Sequence, residues 1–384
     1  MPGERARKQD FRTGDHEKVM ASNDAINQNP VPANRRVLSG MRPTGKLHIG
    51  HYVGALQNWV SLQDSYECFF FVADWHALTT NYADTSRVKQ DTLEIACDWL
   101  ASGLDPERCV MFIQSHVPQH AELHLLLSMI TPLGWLERVP TYKEQQQNVR
   151  DRDLNTYGFL GYPLLQSADI MMYQAEFVPV GEDQVPHIEI TREIARRFNG
   201  FYQRLVKPGD PDPQRTYVFP EPQALLTPSP KLPGTDGRKM SKSYGNSILM
   251  SDPEPLVRQK LKTMVTDPAR VRRTDPGNPD VCPVGDVHKI FSSRDTLQKV
   301  YAGCRSAGIG CIECKSWAAD ALVSVLKPMQ QRRRHYEQNP REAWELLEAG
   351  AVRAGRVAEA TMEEVRAAMK MSKHYEAPVE GAAQ

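Results

Sequence analysis

Short apolar runs alternate with amphipathic stretches over the first two thirds of the chain. Runs at residues 37–38, 68–73, 110–114 and 177–180 have the length and composition of buried strands. Between them, apolar positions recur at helical spacing, over residues 52–62, 86–102 and 188–198. Because strands that alternate with helices form parallel sheets, this pattern predicts an α/β fold built on a doubly wound parallel sheet.

The pattern changes at both ends of this region. Residues 1–35 are polar and show no helical or strand period, which predicts a disordered tail before a sheet domain at 36–250. Past residue 251 the strand signal stops, and a C-terminal α-helical domain is predicted over 251–384. Its helices are expected at residues 254–264, 287–293, 317–337 and 341–370.

Composition narrows the class of protein. The chain has 384 residues, of which 40% are hydrophobic and 24% charged, enough for a large core with a smaller attached domain. It lacks both the ~20 consecutive apolar residues of a membrane span and the apolar run of a secretory signal, so a cytoplasmic protein without a membrane partner is expected. Basic and acidic residues balance at 47 each, so a nucleic acid would have to meet a local basic patch.

The first candidate motif is His48-Ile49-Gly50-His51, which follows the first predicted strand and a turn. A helix that starts here offers free backbone N–H groups and the positive end of its dipole, which suit phosphate. Gly50 would let an adenine or ribose approach the backbone, and both histidines can donate hydrogen bonds to phosphate oxygens. The alternative is a pair of surface histidines that cap a helix.

The second candidate motif is Lys239-Met240-Ser241-Lys242-Ser243, in a glycine-rich segment. Such a loop can close over a triphosphate, and two ammonium groups would stabilise the charge that develops in nucleotidyl transfer. Taken alone, the loop is equally well explained as a solvated lysine-rich turn. The presence of both motifs, one after the first strand and one at the end of the sheet domain, favours the ATP-binding interpretation.

The two motifs resemble the HIGH and KMSKS signatures of the class I aminoacyl-tRNA synthetases. Residues 162–170 and 178–189 are similar to those of the bacterial tryptophanyl branch, and the resemblance extends over residues 37–370. It implies a Rossmann-like sheet of the HUP type, activation of L-tryptophan by ATP with Mg²⁺, and transfer to tRNA(Trp). It also implies a homodimer, for which the apolar stretch 123–136 is a candidate interface, although that stretch could equally be core.

The resemblance assigns roles to individual residues. It implies that His48, His51, Lys239 and Lys242 are catalytic. An ATP site is implied at Arg42, Pro43, Thr44, Gly50, His51, Lys143, Gly181, Glu182, Asp183, Leu232, Lys239, Met240, Ser241, Lys242 and Ser243. Within this set the segment 181–183 would bind the ribose, and Lys143 would reach the triphosphate unless it is an ordinary helix-surface lysine.

A tryptophan site is implied at Asp169, Tyr162, Gln184, His76 and Ser39. By similarity Asp169 accepts the indole N–H, a role with a physical reason, since a buried N–H without a partner costs ~1–3 kcal/mol. The alternative for Asp169 is an ordinary helix cap.

The chain departs from the better-known bacterial pattern at four positions. Arg42 and His51 stand where glutamine and asparagine are common, Leu38 replaces an aromatic residue, and Gln166 replaces a methionine. Two other functions stay open at this point. One is a tyrosyl-tRNA synthetase, which shares the fold and both motifs; the other is a non-catalytic synthetase-like metal or redox sensor.

Four cysteines cluster in the helical region with the spacing C-x21-C-x6-C-x2-C, at Cys282, Cys304, Cys311 and Cys314. Four thiolates suit either structural zinc or an iron–sulfur cluster, and a disulfide is not expected in a reducing compartment. The spacing resembles that of tryptophanyl synthetases with a [4Fe–4S] cluster, which favours the cluster over zinc and over a site that has lost its metal.

A basic run at Arg332, Arg333 and Arg334 is followed by His335 and Tyr336. Such a run can contact tRNA phosphates and stack an unpaired base, or it can be a solvated helix face. By analogy with the family, the helical domain is expected to bind the tRNA anticodon.

Overall fold

The computed structural model describes residues 35–143, 153–206, 208–226 and 232–371. A five-stranded parallel sheet forms its centre, in the order β3-β2-β1-β4-β5. The strands are β1 Arg36–Met41, β2 Glu67–Val72, β3 Cys109–Ile113, β4 Phe177–Val180 and β5 Gln223–Leu226. The α/β prediction is confirmed, while the predicted disordered tail falls almost wholly outside the described residues.

β5 was not predicted from the sequence. It lies at the edge of the sheet, where its side chains are half-buried or exposed and Leu226 is 58% exposed. Its sequence Gln-Ala-Leu-Leu also lacks the β-branched residues that mark a strand. Pairing with β4, in the register Val178 to Ala224, fixes its conformation instead.

Helices cover both faces of the sheet. α1 is one continuous helical stretch that consists of Ile49–His51, a π-helical turn Tyr52–Leu56, and Gln57–Leu62. The helices that follow in the sheet region are α2 Asp74–Asn81, α3 Val88–Ser102, α4 Gln119–Ser128, α5 Leu133–Glu137, α6 Tyr157–Leu160, α7 Tyr162–Met172 and α8 Val185–Phe201.

Two hydrophobic layers flank the sheet, because successive side chains of a buried strand point to opposite faces. On one face Phe70 stacks on Trp59, with ring centroids 4.5 Å apart. On the other, Phe69 stacks on Tyr173 at 4.7 Å. Burial of each such side chain stabilises the fold by about 1.5–3 kcal/mol.

The region after residue 251 is helical, as predicted, within the described residues. Its helices are α9 Glu254–Thr263, α10 Pro283–Phe291, α11 Arg294–Arg305, α12 Cys311–Gln338 and α13 Pro340–Ala368. α11 was not predicted, and α10 and α12 begin before the expected positions. No helix in the described ranges is long and apolar enough to cross a membrane.

This helical region shares its core with the sheet. Leu322 and Leu347 belong to the hydrophobic layer of Phe70, and Ala354 and Met362 to that of Phe69. The helices beyond residue 250 therefore also form part of the layers that cover the sheet.

Candidate active site

A cleft opens at the carboxyl ends of β1 and β4. The strand order reverses at β1, since β2 lies on one side of it and β4 on the other, and such a switch point is where parallel sheets bind ligands. The cleft encloses about 450 Å³. All the residues predicted to bind an amino acid line it: Ser39, His76, Tyr162, Asp169 and Gln184.

Asp169 lies on α7 at the wall of this cleft and is 1% exposed. Its Oδ2 accepts a hydrogen bond from His76 Nε2 at 2.7 Å. Its Oδ1 accepts from His120 Nδ1 at 2.6 Å and from Gln114 Nε2 at 2.7 Å. Burial alone would raise the pKa of Asp169, but the hydrogen bonds from His120 and His76 outweigh it and lower that pKa. The carboxylate is thus ionised and held in a fixed orientation, which an ordinary helix cap does not require.

Sequence reasoning missed His120 and Gln114. Both follow the carboxyl end of β3, Gln114 directly and His120 at the start of α4. Their position at or after the end of a predicted strand could have identified them as site residues, because the carboxyl ends of parallel strands meet at one edge of the sheet. His120 also lies 2.8 Å from the Tyr173 hydroxyl, so both of its ring nitrogens are engaged.

A second chain of polar side chains also lines the cleft. The Tyr162 hydroxyl lies 2.7 Å from Thr141 Oγ1, which in turn lies 2.7 Å from His187 Nε2. Burial lowers the pKa of His187 to about 4, helped by the nearby His76, so its ring is neutral at pH 7. Its buried Nδ1 has no hydrogen-bond partner among the described residues.

His48 and His51 form a compact pair at the start of α1, with ring centroids 3.7 Å apart. Burial, followed by the charge of Lys242, lowers the pKa of His48 to about 4. Burial and the neighbouring His48 and Lys242 lower the pKa of His51 to about 3. Because His51 Nδ1 accepts the His48 amide proton at 3.2 Å, the neutral His51 ring carries its proton on Nε2 and can donate it to a ligand.

Gly50 makes room for a neighbouring side chain. A Cβ at this position would lie 2.9 Å from His48 Nδ1, so the missing side chain leaves space for the His48 ring, while the predicted approach of an adenine or ribose stays a prediction. The glycine is needed because it lets the first histidine of the motif fold back over the start of the helix.

The structure brings the two signature motifs together. Lys242 Nζ donates hydrogen bonds to Thr44 O and, at 3.0 Å, to Lys46 O, in the segment that leads into the first motif. Met240 is buried against Gly50, and His48 pairs with Leu249 in an antiparallel bridge. Lys239, by contrast, is exposed.

The other predicted ATP residues lie in three settings. Arg42 and Gly181 line the cleft, and Arg42 donates to Thr80 Oγ1 at 2.5 Å. The side chain of Leu232 belongs to the hydrophobic core and does not line the cleft. Several further predicted residues are exposed near the ends of the cleft or on the loop: Thr44, Lys143, Glu182, Asp183 and Ser243.

Three of the positions at which the sequence departs from the bacterial pattern, Leu38, Arg42 and Gln166, line the same cleft. The departures therefore fall on surfaces that a bound substrate would touch.

The four clustered cysteines are free thiols, and each is close enough to influence another electrostatically. Burial, followed by the charges of Cys282, Cys304 and Cys311, raises the pKa of Cys314 to about 12. Within the described residues, however, no three His, Cys, Asp or Glu side chains converge as a metal site does. The thiols are neighbours in the fold, but they are not arranged around one centre.

The basic run on α12 is only partly available to RNA. Arg333 is 2% exposed and forms ion pairs with Asp98 and Glu94, so it is a structural residue. Arg332 and Arg334 are exposed, and Arg332 Nε donates to Ala101 O at 2.8 Å.

Comparisons with known proteins agree with this geometry. The family described as tRNA synthetases class I (W and Y) matches residues 32–327. A tryptophan–tRNA ligase of Thermotoga maritima is 53% identical, over 88% of this chain and 99% of that protein. A tryptophan–tRNA ligase of Ralstonia nicotianae is 49% identical, over 88% of this chain and 98% of that protein. The crystal structure of a tryptophanyl-tRNA synthetase from Campylobacter jejuni, complexed with ADP and tryptophan, matches with a TM-score of 0.76 and 31% identity, over 87% of this chain and 99% of that one.

Proposed function

The chain belongs to the class I tRNA synthetases of the tryptophan and tyrosine type, and from this membership we propose that it is a tryptophan–tRNA ligase. It activates L-tryptophan with ATP and Mg²⁺ to tryptophanyl-adenylate and transfers the tryptophanyl group to tRNA(Trp). The observation that carries the proposal is the buried, ionised Asp169 at the wall of the cleft.

Asp169 supports tryptophan as the substrate. A carboxylate offers about four acceptor positions, and here Oδ1 accepts two hydrogen bonds and Oδ2 only one. Oδ2 can therefore accept the indole N–H as well. An amino acid without that N–H would leave a buried carboxylate with an unused acceptor, which favours tryptophan over phenylalanine. Ser39, Tyr162 and Gln184 would line the remainder of the substrate pocket.

The signature motifs would hold the triphosphate of ATP. We assign His51 and His48 as neutral donors to phosphate oxygens, and Lys242 and Lys239 as the cations that offset the charge of the leaving pyrophosphate. The tryptophan carboxylate attacks the α-phosphorus, the bond to pyrophosphate breaks, and the adenylate stays bound. The terminal adenosine hydroxyl of the tRNA then attacks the activated carbonyl and releases AMP.

We further propose that Cys282, Cys304, Cys311 and Cys314 bind a [4Fe–4S] cluster, with zinc as the alternative. The support is the chemistry of the donor set, since four thiols that are neighbours in the fold are the ligands such a cluster uses. Arg270 Nη1 lies 3.7 Å from Cys304 Sγ, where its charge opposes the rise in the Cys304 pKa that burial causes. The cluster would cross-link α10, α11 and α12 in the region 251–384, which we propose as the tRNA anticodon-binding domain. Iron, acid-labile sulfide and zinc analysis of anaerobically purified protein distinguishes the two metals.

We also propose a homodimer that functions in the cytoplasm, where translation takes place. The support is the surface of α4 and α5, where Leu125, Met129 and Leu133 are 54%, 70% and 62% exposed. A row of large apolar side chains of this kind is typical of a surface that a second copy covers.

The decisive experiment is ATP–pyrophosphate exchange with each of the twenty amino acids offered separately. We expect exchange with tryptophan alone. Exchange with tyrosine would move the assignment to the sister enzyme, and binding of ATP without any exchange would favour a non-catalytic sensor.

A further inference from the structure

A buried ion pair joins the C-terminal helices to the first signature motif. Arg333, on α12, donates from Nη1 to Asp98 Oδ1, and Asp98, on α3, is 0% exposed. The other carboxylate oxygen, Oδ2, accepts the backbone N–H of Leu47 at 2.7 Å. Leu47 directly precedes His48, so the chain of contacts from Arg333 ends at the residue before the first catalytic histidine.

The same helix also holds the segment after the second motif. Gln330, one turn before Arg333, donates from Nε2 to Met250 O at 3.0 Å and to Asp252 O at 2.8 Å. The Met250 N–H in turn donates to Leu47 O at 2.9 Å. Hydrogen bonds thus link Arg333 to Asp98, Asp98 to Leu47, Leu47 to Met250 and Met250 to Gln330. They form a closed circuit that begins and ends on α12.

The Arg333–Asp98 pair does more than neutralise the buried charge of Arg333. Arg333 has further partners in Glu94 and in Glu337, whose Oε1 accepts from Nε at 2.9 Å. Those contacts would stabilise the helices without Asp98. Asp98 alone connects the cluster to a backbone amide beside the site, because its two oxygens face different partners.

We propose that Arg333, acting through Asp98, and Gln330 are positioning residues that hold Leu47 and Met250, and with them the two signature motifs, in the geometry that ATP activation requires. The inference rests on the proposed function, since it concerns the same reaction. It makes α12, whose first turn carries Cys311 and Cys314 roughly 30 Å away along the helix axis, part of the support of the active site.

A matched pair of double variants tests this. Asp98→Leu with Arg333→Met replaces the ion pair by apolar side chains. Asp98→Asn with Arg333→Met also removes both charges but keeps an oxygen that can accept from Leu47 N–H. Because neither variant leaves an unpaired buried charge, folded protein is the expected result for both. Arg341→Met is the control, because the Arg341 side chain is 90% exposed.

We expect the leucine variant to lose about 10- to 100-fold in kcat for tryptophan-dependent pyrophosphate exchange relative to the asparagine variant, with KM for tryptophan unchanged. Equal kcat values in the two double variants would overturn the proposal. Wild-type protein assayed in parallel separates this outcome from failure of the proposed function, which would abolish exchange in every sample.

Amide hydrogen exchange of the peptide that contains Leu47 provides a readout independent of activity. We expect faster exchange in the leucine variant than in the asparagine variant and in wild type. Equal protection of Leu47 in both double variants would show that Asp98 does not hold this amide. Gln330→Met, a single change near the surface, should expose the Met250 amide in the same measurement, and unchanged protection there would remove Gln330 from the proposal.

Discussion

At the scale of single residues, the surroundings of a side chain decide its chemistry. Asp169 is almost wholly buried and yet has a lowered pKa, because the hydrogen bonds from His120 and His76 outweigh the effect of burial. For the two motif histidines a lowered pKa has the opposite result for charge. Burial and the Lys242 charge lower the pKa of each ring, so both are neutral at pH 7.

Asp169→Asn should reduce kcat/KM for tryptophan in pyrophosphate exchange by about 100-fold. An amide presents two N–H donors where three donors already converge, so the indole contact and the orientation of His76 are both lost. Asp320→Asn, at an exposed site, is the matched control. Full selectivity for tryptophan in the Asp169→Asn variant would contradict the role of this carboxylate.

The pH dependence of kcat/KM for ATP should be flat from about pH 6 to 8 as far as His48 and His51 are concerned. A histidine with its ordinary pKa of 6.5 would titrate within that window, but the pKa values of these two rings are lowered to about 4 and about 3. Both rings then stay neutral until the pH falls below about 5. A transition centred near 6.5 that disappears in His51→Gln would show that the ring is protonated during the reaction.

At the scale of secondary-structure elements, α12 and α13 combine two roles. Each contributes apolar side chains to the layers that cover the sheet, and each also donates polar groups to it. Arg353, on α13, donates to Pro106 O at 2.6 Å, and Arg333, on α12, forms the buried pair with Asp98. Arg333, which belongs to the run that was expected to contact RNA, thus connects elements of the fold.

Arg333→Met alone should destabilise the protein, and more at pH 8 than at pH 5. Burial raises the pKa of Asp98 to about 6 even beside Arg333, and removal of this cation raises it further. At pH 5 Asp98 is then protonated and needs no partner. Above about pH 6 wild-type Asp98 ionises beside Arg333. The variant must instead either keep the proton, at a cost that grows with pH, or bury an unpaired charge, so its stability falls relative to wild type as pH rises. The loss at pH 8 should be about 3–5 kcal/mol.

Denaturant unfolding of the Arg333→Met protein and of wild type at both pH values measures this difference. The neighbouring acids Glu94 and Glu337 are partly exposed and contribute less to it. A stability loss that is independent of pH would assign the effect to packing of the arginine stem instead.

Gly350→Ala on α13 should destabilise the protein by about 1–3 kcal/mol or more. A Cβ there would lie 1.7 Å from the carbonyl oxygen of Met111 on β3, so the helix must move away from the sheet. Gly355→Ala, on the same helix with open space around it, should be neutral or stabilising by up to about 1 kcal/mol. Thermal unfolding of the two variants distinguishes close packing from helix propensity, and equal shifts would exclude the close contact.

At the scale of the whole molecule, the apolar surface of α4 and α5 is the proposed contact with a second copy. Leu133→Asp together with Met129→Asp should give a monomer, because two charges would then lie in this surface. Sedimentation velocity over a range of concentrations measures the change. A double variant that still sediments as wild type does would place the dimer interface elsewhere.

The sequence by itself determined the parallel sheet, its first four strands and the identity of both signature motifs, because these depend on local periodicity and on residues adjacent in the chain. It also predicted Ser39, His76, Tyr162, Asp169 and Gln184, which the fold gathers around one cleft. Those five came from the family resemblance, since nothing local distinguishes Asp169 from a helix cap.

The tertiary structure alone decided which partners these residues have. β5 forms by pairing at a sheet edge, and His120 and Gln114 reach Asp169 only when α4 and the carboxyl end of β3 come close to α7. Arg333 resembles an RNA contact in the sequence but is buried against Asp98. Such contacts join residues far apart in the chain, and their energies depend on burial, which no local pattern of residues specifies.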